Sequence, residues 1–181
     1  MYNSTIKKIK GGAMLTVRIA DKKDIEYCYN LIISEVEHGH FDKKLNSSLG
    51  RFFFRRNLRN ALTGKSYKTI DGHRTCFFYI FENGNEKIGF SSVIEHSPVT
   101  FEIWLMVIDK QYRRNGYGKF IVKNLIKRHI VPFTESLFFV RTYKSSTTMI
   151  SLLNNLKFQS HTNEGEDNVI FTKIYSEKNL P

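Results

Sequence analysis

The spacing of apolar residues predicts one strand and two helices in the first third of the chain. Residues 15–19 alternate with a period of two, which is typical of a half-buried strand. Asp21 can cap a helix, and apolar side chains then recur at helical spacing up to Val36, so a helix of roughly four turns is predicted. A second helix is predicted over residues 48–62, because Gly64 ends its pattern.

The rest of the chain predicts mainly strands. Two aromatic and apolar runs, 74–81 and 87–95, flank an Asn-Gly pair at 83–84, which is the strongest short-range signal of a β-hairpin. The nearly uninterrupted apolar run 101–108 suits a central strand that is covered on both faces. A helix after residue 118, a strand over 137–142, a helix over 147–155 and a strand over 168–175 complete the order.

This order of elements predicts a single α/β domain around a mixed sheet over residues 14–181. Residues 1–13 are predicted to be a loose extension, and they lack the apolar core of a signal peptide. No apolar run is long enough to span a bilayer, so no membrane partner is expected. Cys28 and Cys76 show neither a disulfide framework nor a zinc spacing, and a cytoplasmic location is expected.

Charge narrows the range of partners. Among 181 residues, 28 Lys and Arg stand against 17 Asp and Glu, which leaves a formal net charge of +11. A surface of this kind attracts anions. A nucleotide, a phosphate-rich cofactor, RNA or an acidic protein is therefore the expected kind of partner.

The segment that carries chemistry is a basic, glycine-containing turn between a strand and a helix. The turn reads Arg113-Arg-Asn-Gly116-Tyr-Gly118, and Lys119 follows it. A helix that opens on such a turn presents unpaired backbone N–H groups and the positive end of its dipole, which together bind phosphate. A P-loop would need a hydroxyl residue after Lys119, where Phe120 stands, and a dinucleotide turn would need a glycine at Ile121.

What remains is the pattern Arg-x-x-Gly-x-Gly, which resembles the acetyl-CoA-binding signature of the GNAT N-acetyltransferase superfamily. The resemblance spans roughly residues 15–175, and residues 17–24 are similar to the usual start of that family. It implies an α/β (α+β) fold with a mixed, mostly antiparallel central sheet of six to seven strands and about four flanking helices. In that fold the fourth and fifth strands splay apart and the pantetheine arm of acetyl-CoA pairs with the exposed backbone.

The resemblance implies acetyl-CoA as co-substrate and assigns its site residue by residue. The backbone of residues 106–108 would bind pantetheine, the turn with Lys119 would bind the pyrophosphate, and Ser146 stands where many members carry an asparagine. The full set is Met106, Val107, Ile108, Arg113, Arg114, Asn115, Gly116, Tyr117, Gly118, Lys119 and Ser146.

Acyl transfer to an amine needs a proton acceptor, since free lysine-type amines have a pKa of roughly 10. Glu102 is the candidate base, directly or through water. It lies fourteen residues before Gly116, the interval found in the histone-acetylating branch of the family, and it is the only carboxylate of the 101–108 strand. A solvent-facing residue at the strand's edge is the alternative. A backbone N–H near Val107 would polarise the thioester carbonyl.

The general acid is where the chain departs from the family. The family often carries a tyrosine near the end of its last helix, followed after three residues by glycine and phenylalanine. Leu153 and Lys157 stand at the tyrosine and glycine positions, and leucine cannot protonate a thiolate. Tyr143 and Tyr117 are weak candidates for the acid. Alternatively the thiolate leaves unaided, since a thiol pKa of about 8.5 makes it a fair leaving group.

The acceptor site is expected around the first helix and the loop that follows it. His38, His40 and Phe41 are the candidate substrate-binding residues of that loop, and ordinary loop positions are the alternative for the histidines. No ligand cluster supports a metal, so none is expected. Arg51, Arg55 and Arg59 share one helical face, which is either solvated or a platform for an anionic acceptor such as RNA. Residues 52–54, all phenylalanine, are expected in the core and cleft wall.

Three functional hypotheses follow. The first is an acetyl-CoA-dependent N-acetyltransferase that acts by direct attack in a ternary complex on a primary amine, borne by a small molecule, a protein or a peptide. A toxin-like acetyltransferase acting on aminoacyl-tRNA is the second, because of the size and the arginine-rich second helix. A catalytically silent CoA-binding module is the third, because of Leu153. The acceptor's identity and the oligomeric state, monomer or homodimer, are not legible in the loops.

Overall fold

The helices form where the apolar spacing predicts them. A computed structural model describes residues 7–8, 14–69, 72–162 and 165–180. Its α-helices are α1 (Ile25–Val36), α2 (Ser48–Gly64), α3 (Tyr117–His129) and α4 (Thr147–Asn155). The side chain of Ser47 caps α2 by accepting a hydrogen bond from the Gly50 N–H at 3.0 Å. Within the described ranges, no helix is long and apolar enough to cross a membrane.

The strands form one mixed sheet. They are β1 (Lys7–Lys8), β2 (Met14–Ile19), β3 (Ser66–Thr69), β4 (Gly72–Asn83), β5 (Glu86–Ser97), β6 (Thr100–Ile108), β7 (Ser136–Tyr143), β8 (Gln159–His161) and β9 (Asn168–Tyr175). Their order in space is β1-β2-β4-β5-β6-β7-β9-β8, with β3 beside β4. Among the described strands, only the β6–β7 pair is parallel. The mixed, mostly antiparallel sheet with four flanking helices is confirmed.

The three short strands are the part of the sheet that the pattern did not predict. β1, β3 and β8 contain two, four and three residues, too few to show a period. β1 belongs to the segment 1–13 that was expected to be a loose extension, yet Lys7 and Lys8 pair with Leu15 and Met14. The other residues of that segment lie outside the described ranges. The six long strands match the expected six to seven.

Helices cover both faces of the sheet. On one face, Ile121 of α3 and Leu153 of α4 are fully buried against Phe138 of β7. On the other face, Ile32 of α1 and Leu58 of α2 are fully buried in a second cluster. The central strands β4, β5 and β6 are covered on both sides, which explains why their sequences are apolar runs rather than clean alternations.

A β-bulge reverses the alternation of β6. Ser92 of β5 lies opposite Leu105 and Val93 lies opposite Ile103, so Trp104 is an extra residue on β6. As a result Ile103 packs in the α3 cluster, whereas Leu105 packs in the α1–α2 cluster, although both are odd-numbered. The bulge therefore turns the side chains in the second half of β6 to the opposite faces of the sheet.

Strands β6 and β7 diverge, and a cleft opens between them. They pair only over three positions, from Thr100 opposite Leu137 to Glu102 opposite Phe139. β6 continues to Ile108 and β7 to Tyr143 without further pairing between them in the described structure. This confirms the splay that the resemblance implied for the fourth and fifth strands of the family's sheet.

Candidate functional site

The turn at the open end of β6 is shaped by its backbone. Arg114 and Gly116 have φ values of +64° and +79°, in the left-handed region. α3 begins at Tyr117, and the first helical hydrogen bond joins the Phe120 N–H to the Gly116 carbonyl at 3.2 Å. The N–H groups of the first turn of α3 therefore point out of the helix end toward the cleft, where the helix dipole is positive. This is an anion-binding arrangement.

Arg113 does not add free charge to this basic turn. Its Nε donates to the Ile108 carbonyl at 2.9 Å, and its Nη2 lies 2.7 Å from Glu35 Oε1. Glu35 is 2% exposed on α1, so the pair locks the turn against that helix. Arg114 and Lys119 are exposed and leave their charges available to a ligand. The Asn115 amide donates to the carbonyls of the turn itself.

The two glycines of the turn serve different purposes. A Cβ at Gly116 would meet no atom within 4 Å, so this position is open. A Cβ at Gly118 would lie 3.0 Å from Leu152 Cδ2 and 3.5 Å from Met106 Cε. Gly118 therefore allows α3, α4 and β6 to pack closely. Tyr117 is 7% exposed in the α3 core cluster.

The backbone of residues 106–108 has one paired and one open edge. Met106, Val107 and Ile108 pair with β5, whereas β7 has already diverged from their other side. On the paired side a Cβ at Gly89 would lie 2.4 Å from the Val107 carbonyl oxygen, which explains a glycine at that position. The open edge offers strand-type hydrogen bonds to an extended ligand in the cleft.

Glu102 sits where the cleft begins. It is 1% exposed, so it is not the solvent-facing edge residue that the alternative predicted. Arg141 of β7 donates from Nε to Oε1 and from Nη2 to Oε2, both at 2.9 Å. His96 Nε2 lies 2.8 Å from Oε2. Both carboxylate oxygens are thus already hydrogen-bonded.

The loop after α1 spans the cleft from one strand to the other. On the β6 side, His38 Nε2 lies 2.9 Å from Lys110 Nζ, and His40 Nδ1 lies 3.0 Å from Glu35 Oε2. On the β7 side, Ser145 Oγ donates to the Gly39 carbonyl at 2.5 Å. The two histidines, expected to line the acceptor site, hold this loop in place instead.

A pocket of about 450 Å³ lies between this loop and the end of β7. It is lined by Gly39, Phe41, Asp42, Lys43, Lys44, Tyr143, Lys144, Ser145 and Asp167. Phe41 and Tyr143, two residues singled out in the sequence, therefore share one pocket, whereas His38 and His40 are not among its lining residues. Burial raises the pKa of Tyr143 above its usual value of 10.0, and the carboxylates of Asp42 and Asp167 add to the effect. Its hydroxyl is therefore protonated at neutral pH.

Three residues on and beside α4 stand at positions to which the family resemblance gives a role. Ser146, at the N-terminus of α4, is 8% exposed, and its N–H donates to the Tyr143 carbonyl at 2.9 Å. Leu153 is fully buried in the core, so it presents no group to the cleft. Lys157 has a φ of +63°, the conformation for which the family's glycine is suited.

The basic face of α2 is only partly free. Arg51 Nε donates to the Leu45 carbonyl at 2.8 Å, and Arg55 pairs with Glu26. Phe52 and Phe53 are 63% and 43% exposed, so the expectation that they belong to the core is wrong for both. Phe54 is partly buried and packs against the α1–α2 cluster, so this helix face, and not that of Phe52 and Phe53, meets the core. In the described ranges, no group of three or more residues could hold a metal ion.

Sequence reasoning missed Arg141, His96 and the buried Glu35. Arg141 carried a signal, since it is a charged residue inside the otherwise apolar run 137–142. His96 and Glu35 carried none, because a helix-face carboxylate and a histidine near a strand end are usually solvated.

Comparison with known proteins agrees with this geometry. Residues 44–152 match the sequence model of the acetyltransferase (GNAT) family. RimL, a ribosomal alpha-N-protein acetyltransferase solved with coenzyme A, is 14% identical with a TM-score of 0.63, covering 94% of this chain and 98% of that chain. PaiA N-acetyltransferase from Thermoplasma acidophilum, also solved with coenzyme A, is 12% identical with a TM-score of 0.63 and coverages of 89% and 99%.

Spermidine N-acetyltransferase from Vibrio cholerae, solved with coenzyme A and spermine, is 11% identical with a TM-score of 0.58 and coverages of 89% and 94%. No curated protein matches the chain in sequence. At these identities the structural likeness establishes the fold.

Proposed function

The chain belongs to the acetyltransferase (GNAT) family, and we propose that it transfers an acetyl group from acetyl-CoA to a primary amine by direct attack in a ternary complex. The observation that supports this most is the cleft between β6 and β7, which opens onto the N-terminus of α3. The open strand edge and the helix end are the two features that an extended ligand ending in a diphosphate needs.

The described residues fit acetyl-CoA. The pyrophosphate would be held by backbone N–H groups of the turn 113–118 and by the exposed charges of Arg114 and Lys119. The pantetheine arm would pair with the open edge of residues 106–108. Arg113 contributes by shaping the turn, and Ser146 would contact the cofactor from the start of α4. When bound, acetyl-CoA supplies the thioester.

Glu102 is the proposed source of basicity. Its buried negative charge lies at the start of the cleft, and a hydrogen-bonded water or His96 can carry a proton between the acceptor ammonium and its carboxylate. The bidentate bond to Arg141 fixes the carboxylate in place. Val107 directs its own N–H toward β5, so a backbone N–H beside it on the open edge, that of Met106 or Ile108, would stabilise the oxyanion that develops on the thioester carbonyl.

Tyr143 is the proposed acid for the leaving thiolate. It lines the pocket at the end of β7, and its raised pKa keeps its proton available at neutral pH. Tyr117 is less suitable, because it is buried in the core. We also propose a cytoplasmic location, since Cys28 and Cys76 are free, and burial raises the pKa of each thiol to about 12.

The test is a thiol-release assay with acetyl-CoA across a panel of amines, with wild type, Glu102→Gln and Glu177→Gln as a matched control. Glu177 is an exposed carboxylate near the C-terminus, so its loss should leave the rate unchanged. Glu102→Gln should lower kcat by about 100-fold with coenzyme A affinity unchanged, since general-base contributions are of that order.

Each alternative gives a different result. A wild-type rate in Glu102→Gln would remove Glu102 from its role. Coenzyme A binding without turnover on any amine would favour the silent cofactor-binding module, which the buried Leu153 would suit. Acetylation of aminoacyl-tRNA alone would establish the toxin-like activity. No binding of coenzyme A would contradict the proposal altogether.

A further inference from the structure

The carboxylates buried in the cleft are already neutralised by arginines. Glu102 pairs with Arg141 and His96, and Glu35 pairs with Arg113. Both carboxylates are at most 2% exposed, so neither can pair directly with a cationic group of a substrate. A polyamine acceptor, which needs uncompensated acidic groups, therefore has no partner at these two positions.

Arg141 is instead the charged group that this part of the cleft exposes. Phe139, Arg141 and Tyr143 alternate along one face of β7, leading from Glu102 to the pocket. The Arg141 side chain is 54% exposed, although two of its nitrogens bind Glu102. Its third nitrogen, Nη1, makes no hydrogen bond to any residue in the described ranges. That nitrogen can donate to an oxygen of a ligand.

The pocket next to Tyr143 adds more positive charge than negative charge. Three lysines, Lys43, Lys44 and Lys144, line it against the two carboxylates of Asp42 and Asp167. Asp42 also accepts the backbone N–H of Lys44 at 2.9 Å, which partly satisfies its carboxylate. With a formal net charge of +11 on the chain, the local and the overall fields both favour an anion.

We propose that the acceptor is an amine that also carries an anionic group, a carboxylate or a phosphate, and that Arg141 and the pocket lysines bind this group. The proposal rests on the proposed acetyltransferase function and names its substrate class. Arginine suits both kinds of oxyanion, because its planar fork of N–H donors matches their geometry. Arg141 therefore has two roles, fixing Glu102 with one side of its guanidinium and selecting the acceptor with the other.

The test compares matched amines that differ in the anionic group. One arm pairs 2-aminoethyl phosphate with ethanolamine, a second pairs 3-aminopropanoate with propylamine, and spermidine represents the polycations. At constant ionic strength, kcat/KM for the acidic member should exceed that of its neutral partner by about 10- to 100-fold, the worth of a hydrogen bond to a charged group. The pair with the larger ratio of kcat/KM shows whether the site prefers a phosphate or a carboxylate.

Three variants test whether Arg141 binds the anionic group of the acceptor. Arg141→Gln keeps a hydrogen-bond donor near Glu102 and should remove most of the preference, mainly through KM. Arg141→Lys keeps the positive charge and should retain part of the preference for acidic amines. Lys127→Gln is the matched control, because it makes the same change in net charge at an exposed position in the last turn of α3. It should leave the preference unchanged. Coenzyme A affinity reports that each variant is folded.

Three outcomes overturn the inference, and a fourth overturns the proposed function. Acetylation of ethanolamine, propylamine or spermidine at least as efficient as that of the acidic amines would do so and leave the acetyltransferase standing. Coenzyme A binding without acetylation of either acidic amine would also do so. An equal loss of preference in Lys127→Gln and Arg141→Gln would assign it to overall charge. Absence of coenzyme A binding, seen by calorimetry before any amine is added, would instead overturn the proposed function on which the inference rests.

Discussion

The turn over residues 113–118 and the loop over residues 37–44 face the same cleft but are built by different means. Apart from the Arg113–Glu35 pair, the turn is held by contacts close in sequence, such as Arg113 to the Ile108 carbonyl and Asn115 to nearby carbonyls. Apart from the His40–Glu35 contact, the loop is held by distant partners, including Lys110 and Ser145. One region is thus shaped mainly by local backbone geometry and the other mainly by tertiary contacts.

This difference suits what each region is proposed to bind. A backbone site recognises a diphosphate by N–H groups that every sequence possesses, so a short motif suffices. An acceptor site must discriminate between amines, which requires side chains brought together from several elements. The proposed cofactor side of the cleft can therefore be recognised from a short sequence motif. The proposed acceptor side depends on side chains that are particular to this chain.

The largest expected effect is on the cofactor side alone. Gly116→Trp should weaken coenzyme A binding by more than about 100-fold, because the side chain would fill the open space before α3 and strain a φ of +79°. The fold should be retained, since no neighbour lies within 4 Å of that position. Calorimetry with coenzyme A and a thermal unfolding curve measure the two effects.

Gly165→Trp is the control for this variant. Gly165 has a φ of +82° and equally open space, but it lies in the turn before β9. The Gly165→Trp variant should have a similar backbone strain but bind coenzyme A as tightly as wild type. Equal affinities in Gly116→Trp and wild type would contradict the assignment of the turn.

A smaller effect is expected where the two regions meet. Glu35 joins Arg113 of the turn to His40 of the loop, with distances of 2.7 and 3.0 Å. Glu35→Gln should lower the free energy of unfolding by about 2 kcal/mol, less than the 3–5 kcal/mol typical of a fully buried pair, because Arg113 and His40 are about one-third exposed and can be rehydrated. Urea unfolding measures it, with the exposed Glu37→Gln as control.

The difference in the free energy of unfolding between wild type and Glu35→Gln should depend on pH with a definite sign. Burial alone would raise the pKa of Glu35, but the hydrogen bonds and charges of Arg113 and His40 bring it below its ordinary value of 4.5. A depressed pKa contributes stability above pH 4.5 and loses it as the pH falls below that value. The gap between wild type and Glu35→Gln should therefore narrow at acidic pH. A gap that widens on acidification would contradict the pairing.

The smallest effect lies outside both regions. Lys157 follows α4 with a φ of +63°, and the Phe158 N–H donates to the Leu153 carbonyl at 3.0 Å in the manner of a glycine-ended helix. Lys157→Gly should stabilise the protein by about 1 kcal/mol without changing coenzyme A affinity. Lys127→Gly, inside α3, should destabilise it by about the same amount. A loss of stability in Lys157→Gly would show that the lysine side chain makes a stabilising contact.

Much of the fold was predictable from the sequence. The predicted ranges of α4 and β9 agree with the structure residue for residue. α2 extends two residues beyond the predicted end, to Gly64, because Lys65 adopts the left-handed conformation that ends the helix. Phe52 and Phe53 were misplaced, because three consecutive residues cannot share one face of a helix, and the buried face of α2 contains Phe54, Leu58 and Leu62.

The surroundings of Glu102 were not predictable. The position itself followed from its interval to Gly116, but Arg141 lies 39 residues away in the chain. No local pattern indicates that a charge on one strand will meet a charge on another. The same holds for Glu35, whose partner Arg113 of the turn lies 78 residues later in the chain.

By itself, the sequence determined the order of strands and helices, the glycine-containing turn before α3 and the cationic character of the chain. These depend on apolar spacing, on glycine conformation and on composition, all of which act over short stretches or over the whole chain. Only the tertiary structure decided which charges remain free in the cleft. The pairing of Glu102 with Arg141 and of Glu35 with Arg113 arises from the splay of β6 and β7 and the packing of α1, because ion pairs form between groups that folding brings within a few ångströms.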